Sequence, residues 1–295
     1  MSPTPIRGVL AAIATPFDAG DRPDTALFLR HARWLLENGC DGLNVLGTTG
    51  EANSIGADAR MTLMTAAAAG FDPARMMVGT GCPDLETTVA LTRHAAECGY
   101  AGALVLPPYY YKGVSDDGLF AFFAALVART ADRPVPIYLY NFPQMTGLRL
   151  APAIAARLKA AFPDRIAGAK DSSGDLDYAA ALAAIPGFDV FPSDESALAQ
   201  APVRGFAGCI SATVNLTAPL AGRLRADPGD AGLAEELGRR RAAISRTPLI
   251  PSVKALVARL HDAPGYATVL PPLAPLTPEQ EAALPPAAVL AAEPA

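Results

Sequence analysis

The chain has 295 residues, 51% of them apolar and 18% charged, with a formal net charge of −5. That length accommodates one large α/β domain or two modest ones, and the apolar share is enough to offset ordering entropy, which excludes a disordered chain. The negative balance offers no basic field for nucleic acid or anionic lipid. No apolar stretch reaches the roughly 18 to 20 residues that span a bilayer, and the opening MSPTPIRGVL lacks the charge-then-apolar pattern of a secretory leader. A cytoplasmic protein is expected.

Read in chain order, apolar β-branched runs alternate with helical patterns. A strand over 9–15 precedes a helix over 24–38 opened by Asp24, and a strand over 42–47 precedes a helix over 53–69 opened by Asn53. Strand 76–81 leads to helix 84–98 with Asp84 as cap, and strand 102–107 to helix 115–130 with Ser115 as cap. Strand 135–142 is followed by helix 152–161, and strand 166–171 by helix 175–184 opened by Asp175. Strand 189–193 is followed only by the short segment 195–204, and strand 208–214 by helix 217–226.

Continuous apolar strands such as GALVLPP and PVPIYLYN indicate burial on both faces, and strand–helix alternation indicates a parallel sheet. Eight such units predict an α/β fold, a (β/α)8 TIM barrel, over residues 1–225. A doubly wound open sheet is the alternative, but no GxGxxG follows the first strand. Beyond it, 231–246, 249–261 and 277–293 read as helices broken by the proline-rich stretch 264–278, giving a C-terminal helical domain over 226–295. The run Arg239 to Arg241 is expected on a solvated helix face.

Cys40, Cys82, Cys98 and Cys209 show no CxxC spacing, and His31, His94 and His261 fall in separate helical segments. Reduced core cysteines, and no Cys/His metal cluster, are therefore expected.

In barrel enzymes chemistry sits at the carboxyl ends of the strands. Here those ends carry Gly47-Thr48-Thr49-Gly50-Glu51, Tyr109-Tyr110-Tyr111-Lys112, Tyr140-Asn141-Phe142-Pro143, Lys170-Asp171-Ser172-Ser173 and Ser193-Asp194-Glu195. Lys170 ends a buried-type strand in a chain with only four lysines against twenty arginines. It reads either as a lysine snorkelling from the rim or as an amine nucleophile, for which a mouth of low polarity would favour the reactive uncharged form. The Thr48-Thr49 turn is either an ordinary strand-to-helix connection or a cradle for a carboxylate. Tyr140 is a packing residue or a proton shuttle, the tyrosine cluster an interface plug or part of the site, and Asp194-Glu195 a helix-opening pair or a grip on substrate hydroxyls.

Together these segments resemble the dihydrodipicolinate synthase and N-acetylneuraminate lyase family of pyruvate-dependent aldolases. The resemblance runs in family order through ATPF, GTTGE, PPYYYK, YNFP, KDSSGD and CISATVN. It implies a (β/α)8 barrel with C-terminal helices, a homotetramer built as a dimer of dimers, and no metal or organic cofactor. It also implies that Lys170 forms a Schiff base with pyruvate or another 2-oxo acid, that Tyr140 moves protons, and that Gly47, Thr48 and Thr49 hold the substrate carboxylate. Tyr110 would complete the relay in a neighbouring subunit, while Asp194, Glu195 and Ile210 would line the substrate.

Synthases of the family follow YNxP with an arginine that grips aspartate semialdehyde; here the segment is Gln144-Met145-Thr146-Gly147. Methionine has no bidentate fork for a carboxylate. The expected activity is therefore a class I aldolase forming or cleaving a bond between pyruvate and an aldehyde, with a hydroxylated 2-oxo acid such as a 2-keto-3-deoxy sugar acid. The alternatives are dihydrodipicolinate synthase with its second carboxylate held by Arg149 or Lys112, a Schiff-base sugar-acid dehydratase, and a non-catalytic barrel that binds a 2-oxo acid. Ala57 and Arg60 stand where lysine-responsive synthases carry histidines, so no allosteric lysine site is expected.

Overall fold

The computed structural model describes residues 5–292; residues 1–4 of the first predicted domain and 293–295 of the second, with the last residue of predicted helix 277–293, lie outside the described residues. Eight strands form the centre: β1 (Gly8–Ala12), β2 (Gly42–Val45), β3 (Met76–Gly79), β4 (Gly102–Val105), β5 (Ile137–Asn141), β6 (Ile166–Asp171), β7 (Asp189–Pro192) and β8 (Gly208–Ser211). Around them run α1 (Thr25–Glu37), α2 (Ala57–Gly70), α3 (Leu85–Glu97), α4 (Asp116–Arg129), the single turn α5 (Pro143–Thr146), α6 (Pro152–Ala161), α7 (Leu176–Ala183), the short α8 (Ala201–Arg204) and α9 (Val214–Ala226). The chain ends in α10 (Ala231–Ile244), α11 (Leu249–His261), α12 (Pro278–Ala282) and α13 (Ala287–Ala291).

Each strand pairs in parallel with its sequence neighbours from β1 to β7, and β1 also pairs with β8. Between β7 and β8 the Ala207 N–H donates to the Val190 carbonyl at 2.9 Å. The result is a TIM barrel, as the strand–helix rhythm predicts. Residue alternation sorts the strands cleanly: Leu10, Met77, Leu104, Tyr138, Tyr140, Phe191 and Ile210 fill the lumen, while Val9, Leu43, Val45, Ile137, Leu139 and Val190 pack outward under the helices. Each large aliphatic side chain so buried contributes about 1.5–3 kcal/mol. Close strand approach needs a glycine at Gly168, where a Cβ would lie 1.9 Å from the Asp189 carbonyl oxygen.

Four of the five predicted caps operate: Asp24, Asp84, Ser115 and Asp175 accept the N–H of Leu27, Thr87, Gly118 and Tyr178. Asn53 does not. Left-handed Glu51 (φ 53°) turns the chain through one 3-10 turn, α2 starts later behind Gly56, and Asn53 instead accepts from Tyr109 Oη at 3.2 Å. The predicted helix 277–293 divides into α12 and α13 because Pro285 and Pro286 interrupt it.

The arginine run does not share a solvated face, since consecutive helical residues step about 100° around the axis. Arg239 is exposed beside Glu236, whereas Arg240 is buried, its Nη1 donating to the carbonyls of Leu290 and Ala292. Arg241 turns toward the barrel mouth. His31 and His261, 230 positions apart, meet at 2.9 Å. Asn215 fixes the direction of this chain: its Nδ2 donates to the Ala12 and Ala212 carbonyls, so its Oδ1 accepts from His31 Nε2 and the Ala14 N–H. Burial drives the His31 pKa down to about 3. Cys40, Cys82 and Cys209 are buried free thiols. Among the described residues no helix is long and apolar enough to cross a membrane, and no group of three or more His, Cys, Asp or Glu could hold a metal ion.

Candidate active site

Strand register builds the centre of the site. Tyr140 and Lys170 stand opposite each other on β5 and β6, and alternation aims both side chains into the lumen. Both are nearly sealed, 3% and 4% exposed. Lys170 Nζ donates to Tyr140 Oη at 3.1 Å, and the same phenol oxygen lies 3.3 Å from Thr48 Oγ1 and 3.5 Å from Ser172 Oγ. The outward neighbours fix these strand ends: Asn141 Nδ2 donates to Asp171 Oδ1 at 2.7 Å, and Asp171 accepts from the Ser173 hydroxyl. Burial raises the Asp171 pKa above its ordinary value, against the pull of those donors.

The threonine pair follows β2. Glu51 N–H returns to the Thr48 carbonyl at 3.0 Å, closing a tight turn. Thr48 and Thr49 join Lys170, Tyr140 and Ser172 on the floor of a cavity of about 440 Å³ at the carboxyl end of the barrel. Gly47 sits with Thr48 and Tyr140 around a smaller adjoining niche. Above the floor the wall is apolar, formed by Phe142, Met145, Leu249, Ile250 and Leu273, with Ser193 and Arg241 as its polar members.

The remaining sequence candidates are placed differently. Glu195 is fully buried and turned away from the cavity: Oε1 accepts from Thr213 and Thr217 at 2.7 Å, and Oε2 from Ser211 at 2.6 Å and Arg241 at 3.2 Å. Both oxygens are engaged within the fold, and Glu195, expected to bind substrate, does not line the cavity. Asp194 caps the 3-10 turn behind β7 through the Ser196 N–H and pairs with Arg241 Nε at 3.2 Å, so it does serve as a helix-opening residue. Ile210 is packed in the lumen against Tyr140 and Phe191, below the cavity lining. Tyr110 is 74% exposed, in edge contact with Tyr111, and does not line its own chain's cavity.

Neither cation considered for a second carboxylate lines the cavity. Lys112 Nζ donates to the Tyr109 and Thr146 carbonyls, and Arg149 pairs with Asp175 while lying over the Tyr178 ring. Arg60 is buried, donating to the Gly79 carbonyl and Cys82 Sγ.

Lys254 is a second buried lysine, yet it is committed. It forms an ion pair with Glu51, lies 4.1 Å from the Phe17 ring centroid, and burial lowers its pKa to about 8. Glu51 Oε2 accepts the Leu270 N–H at 2.8 Å. Ser172 and Arg241 are site residues that sequence reasoning missed. Ser172 was legible as the neighbour of Lys170 and Asp171 at a strand end; Arg241, on a helix after the barrel, carried no local signal.

The sequence matches the Dihydrodipicolinate synthetase family over residues 5–289. It is 34% identical over 286 residues to an uncharacterized DapA-like lyase of Chloroflexus aurantiacus, covering 94% of each chain. A dihydrodipicolinate synthase from Agrobacterium tumefaciens superposes with a TM-score of 0.87 at 32% identity, over 93% of this chain and 96% of that one. A prophage protein of the dihydrodipicolinic acid synthase family from E. coli K12, solved in complex with pyruvate, gives 0.84 at 27% identity, over 94% and 95%. With its barrel, its lysine–tyrosine pair and a match of this extent, the chain belongs to the dihydrodipicolinate synthetase family and is an aldolase-type lyase.

Proposed function

We propose that the protein is a Schiff-base aldolase that joins pyruvate to an aldehyde, or cleaves the resulting hydroxylated 2-oxo acid. The observation that carries this reading is the buried Lys170 amine donating at 3.1 Å to Tyr140 Oη on the floor of an open cavity. A buried amine beside a phenol is arranged for carbonyl attack and for the proton traffic that follows. Lys170 Nζ adds to C2 of pyruvate, Tyr140 protonates the departing oxygen, and water leaves as the imine forms. The cationic imine draws electrons from the C3–H bond as the Tyr140 phenolate takes that proton, and Tyr140 returns it to the aldehyde oxygen when the enamine carbon attacks; water then adds to the cationic imine, its proton goes back to Tyr140, and the product leaves with the amine regenerated. Thr48 and Thr49 hold the carboxylate, and Thr48 carries Tyr140's proton toward the tyrosine loop.

Tyr110 points outward, which supports a homotetramer built as a dimer of dimers, in which this ring completes the partner's relay. Glu195 is engaged within the fold, so recognition of the hydroxyls of a 2-keto-3-deoxy sugar acid falls to Ser172 and Ser193 on the cavity lining. Dihydrodipicolinate synthesis is the second reading, favoured by the likeness to the Agrobacterium enzyme and opposed by Met145, which leaves that wall without a guanidinium fork. The test is borohydride reduction with pyruvate followed by peptide mass analysis: a pyruvyl adduct on Lys170 is expected, and an unmodified Lys170 refutes the mechanism. Rapid condensation of pyruvate with aspartate semialdehyde would establish the second reading instead.

A further inference from the structure

The polar groups of the cavity are divided unevenly. Those on the floor, Lys170, Tyr140, Thr48 and Thr49, serve the 2-oxo acid. The wall above them presents the half-exposed faces of Phe142, Leu249, Ile250 and Leu273 and the exposed face of Met145. At about 440 Å³ the cavity is in the usual range for organic ligands and holds far more than a three-carbon acid.

Charge decides what the upper part does not bind. Among the described residues Arg241 is the one cation in the upper lining, and its charge is already balanced: its Nε pairs with Asp194 at 3.2 Å and its Nη1 with Glu195 at 3.2 Å. A second carboxylate would meet a guanidinium whose charge Asp194 and Glu195 already balance from behind the lining. A polyol would find Ser193 and Arg241 on this wall and Ser172 below it, but would set its other hydroxyls against hydrocarbon, and each one left unpaired weakens binding by about 5- to 150-fold.

We infer that the second substrate is an aldehyde with an uncharged apolar body, alkyl or aryl, a refinement that rests on the Schiff-base reading above. The enamine C3 of the bound pyruvate forms the new bond to the aldehyde carbon, the aldehyde oxygen takes from Tyr140 the proton that C3 gave up, and hydrolysis of the imine returns the Lys170 amine. The product is a 4-hydroxy-2-oxo acid with the apolar body on C4. Arg241 acts as a positioning residue, holding the Asp194 turn beside the cavity.

The test measures product formation by mass from pyruvate and propanal, hexanal, benzaldehyde, glyceraldehyde or succinic semialdehyde, with borohydride trapping of pyruvate run in parallel. Each methylene moved into the apolar wall is worth up to about fourfold, so kcat/KM is expected to rise about tenfold or more from propanal to hexanal. Hexanal and benzaldehyde should exceed glyceraldehyde and succinic semialdehyde by at least about tenfold. Leu249→Asn should lower the ratio of kcat/KM for hexanal to that for propanal about tenfold. Trapping of pyruvate together with faster turnover of glyceraldehyde or succinic semialdehyde, or with no turnover of the apolar aldehydes, overturns the inference alone. Absence of trapping overturns the Schiff-base reading and the inference with it.

Discussion

Replacing Tyr140 by phenylalanine isolates the phenol oxygen from the ring. The ring packs in the lumen beside Phe142, with centroids 5.7 Å apart, so Tyr140→Phe keeps the packing and deletes only Oη. That atom lies 3.1 Å from Lys170 Nζ, 3.3 Å from Thr48 Oγ1 and 3.5 Å from Ser172 Oγ, so one deletion breaks every contact of the relay at once. Loss of a positioned acid–base group costs about 10²- to 10⁴-fold in rate, or roughly 3–5 kcal/mol of barrier. The structural cost is smaller, about 1–2 kcal/mol for lost hydrogen bonding beside a polar cavity. Time-resolved borohydride trapping of pyruvate should slow by at least about 100-fold while the melting temperature stays within a few degrees. Imine formation at the wild-type rate would remove Tyr140 from the proton path, and a large fall in melting temperature would assign the loss to packing.

Three further outcomes follow from the same contacts. Met145 is 62% exposed on the cavity wall, so Met145→Arg has room to introduce a carboxylate fork and should improve condensation with aspartate semialdehyde by about 10- to 100-fold; an unchanged rate refutes the role given to that position. Glu195→Ala leaves Arg241 and three hydroxyls without their acceptor, which costs about 3–5 kcal/mol and lowers the melting temperature by roughly 5–8 °C; calorimetry would detect it, while pyruvate trapping at saturating pyruvate should persist. His31 is held neutral in the fold with a pKa of about 3, whereas in the unfolded chain it protonates below about 6.5. Its contribution is fully present above that value and is lost as the pH falls from about 6.5 to about 3, roughly 4 kcal/mol in all. Urea titrations across this window should show a shallower pH slope for His31→Gln, and an unaltered slope refutes the assignment.

The barrel was legible because a strand buried on both faces has to be apolar throughout, and such runs alternate with capped helices. Lys170 and Tyr140 were legible for a related reason, since a lysine that ends IAGAK and a tyrosine that ends PIYLY emerge at the mouth by strand alternation. Side-chain direction beyond a strand end follows no such period. Glu195 and Asp194 are adjacent, yet one is sealed among hydroxyls and the other caps a turn. Long-range meetings were equally hidden: Arg241 reaches Glu195 across 46 positions, and His31 meets His261 across 230. Their partners are chosen by tertiary packing, which local pattern does not encode. The proline pair 285–286, by contrast, was a plain local signal that the continuous helical reading passed over.

Glu51 stands two positions beyond the threonine pair and crosses to the other end of the polypeptide, where Lys254 and the Leu270 amide receive it. A chain cut after the last barrel helix would strand a buried carboxyl without its partners, so the shortened protein should yield no smaller working catalyst. Tails swapped in from relatives should be tolerated only when they bring an amine to the same spot.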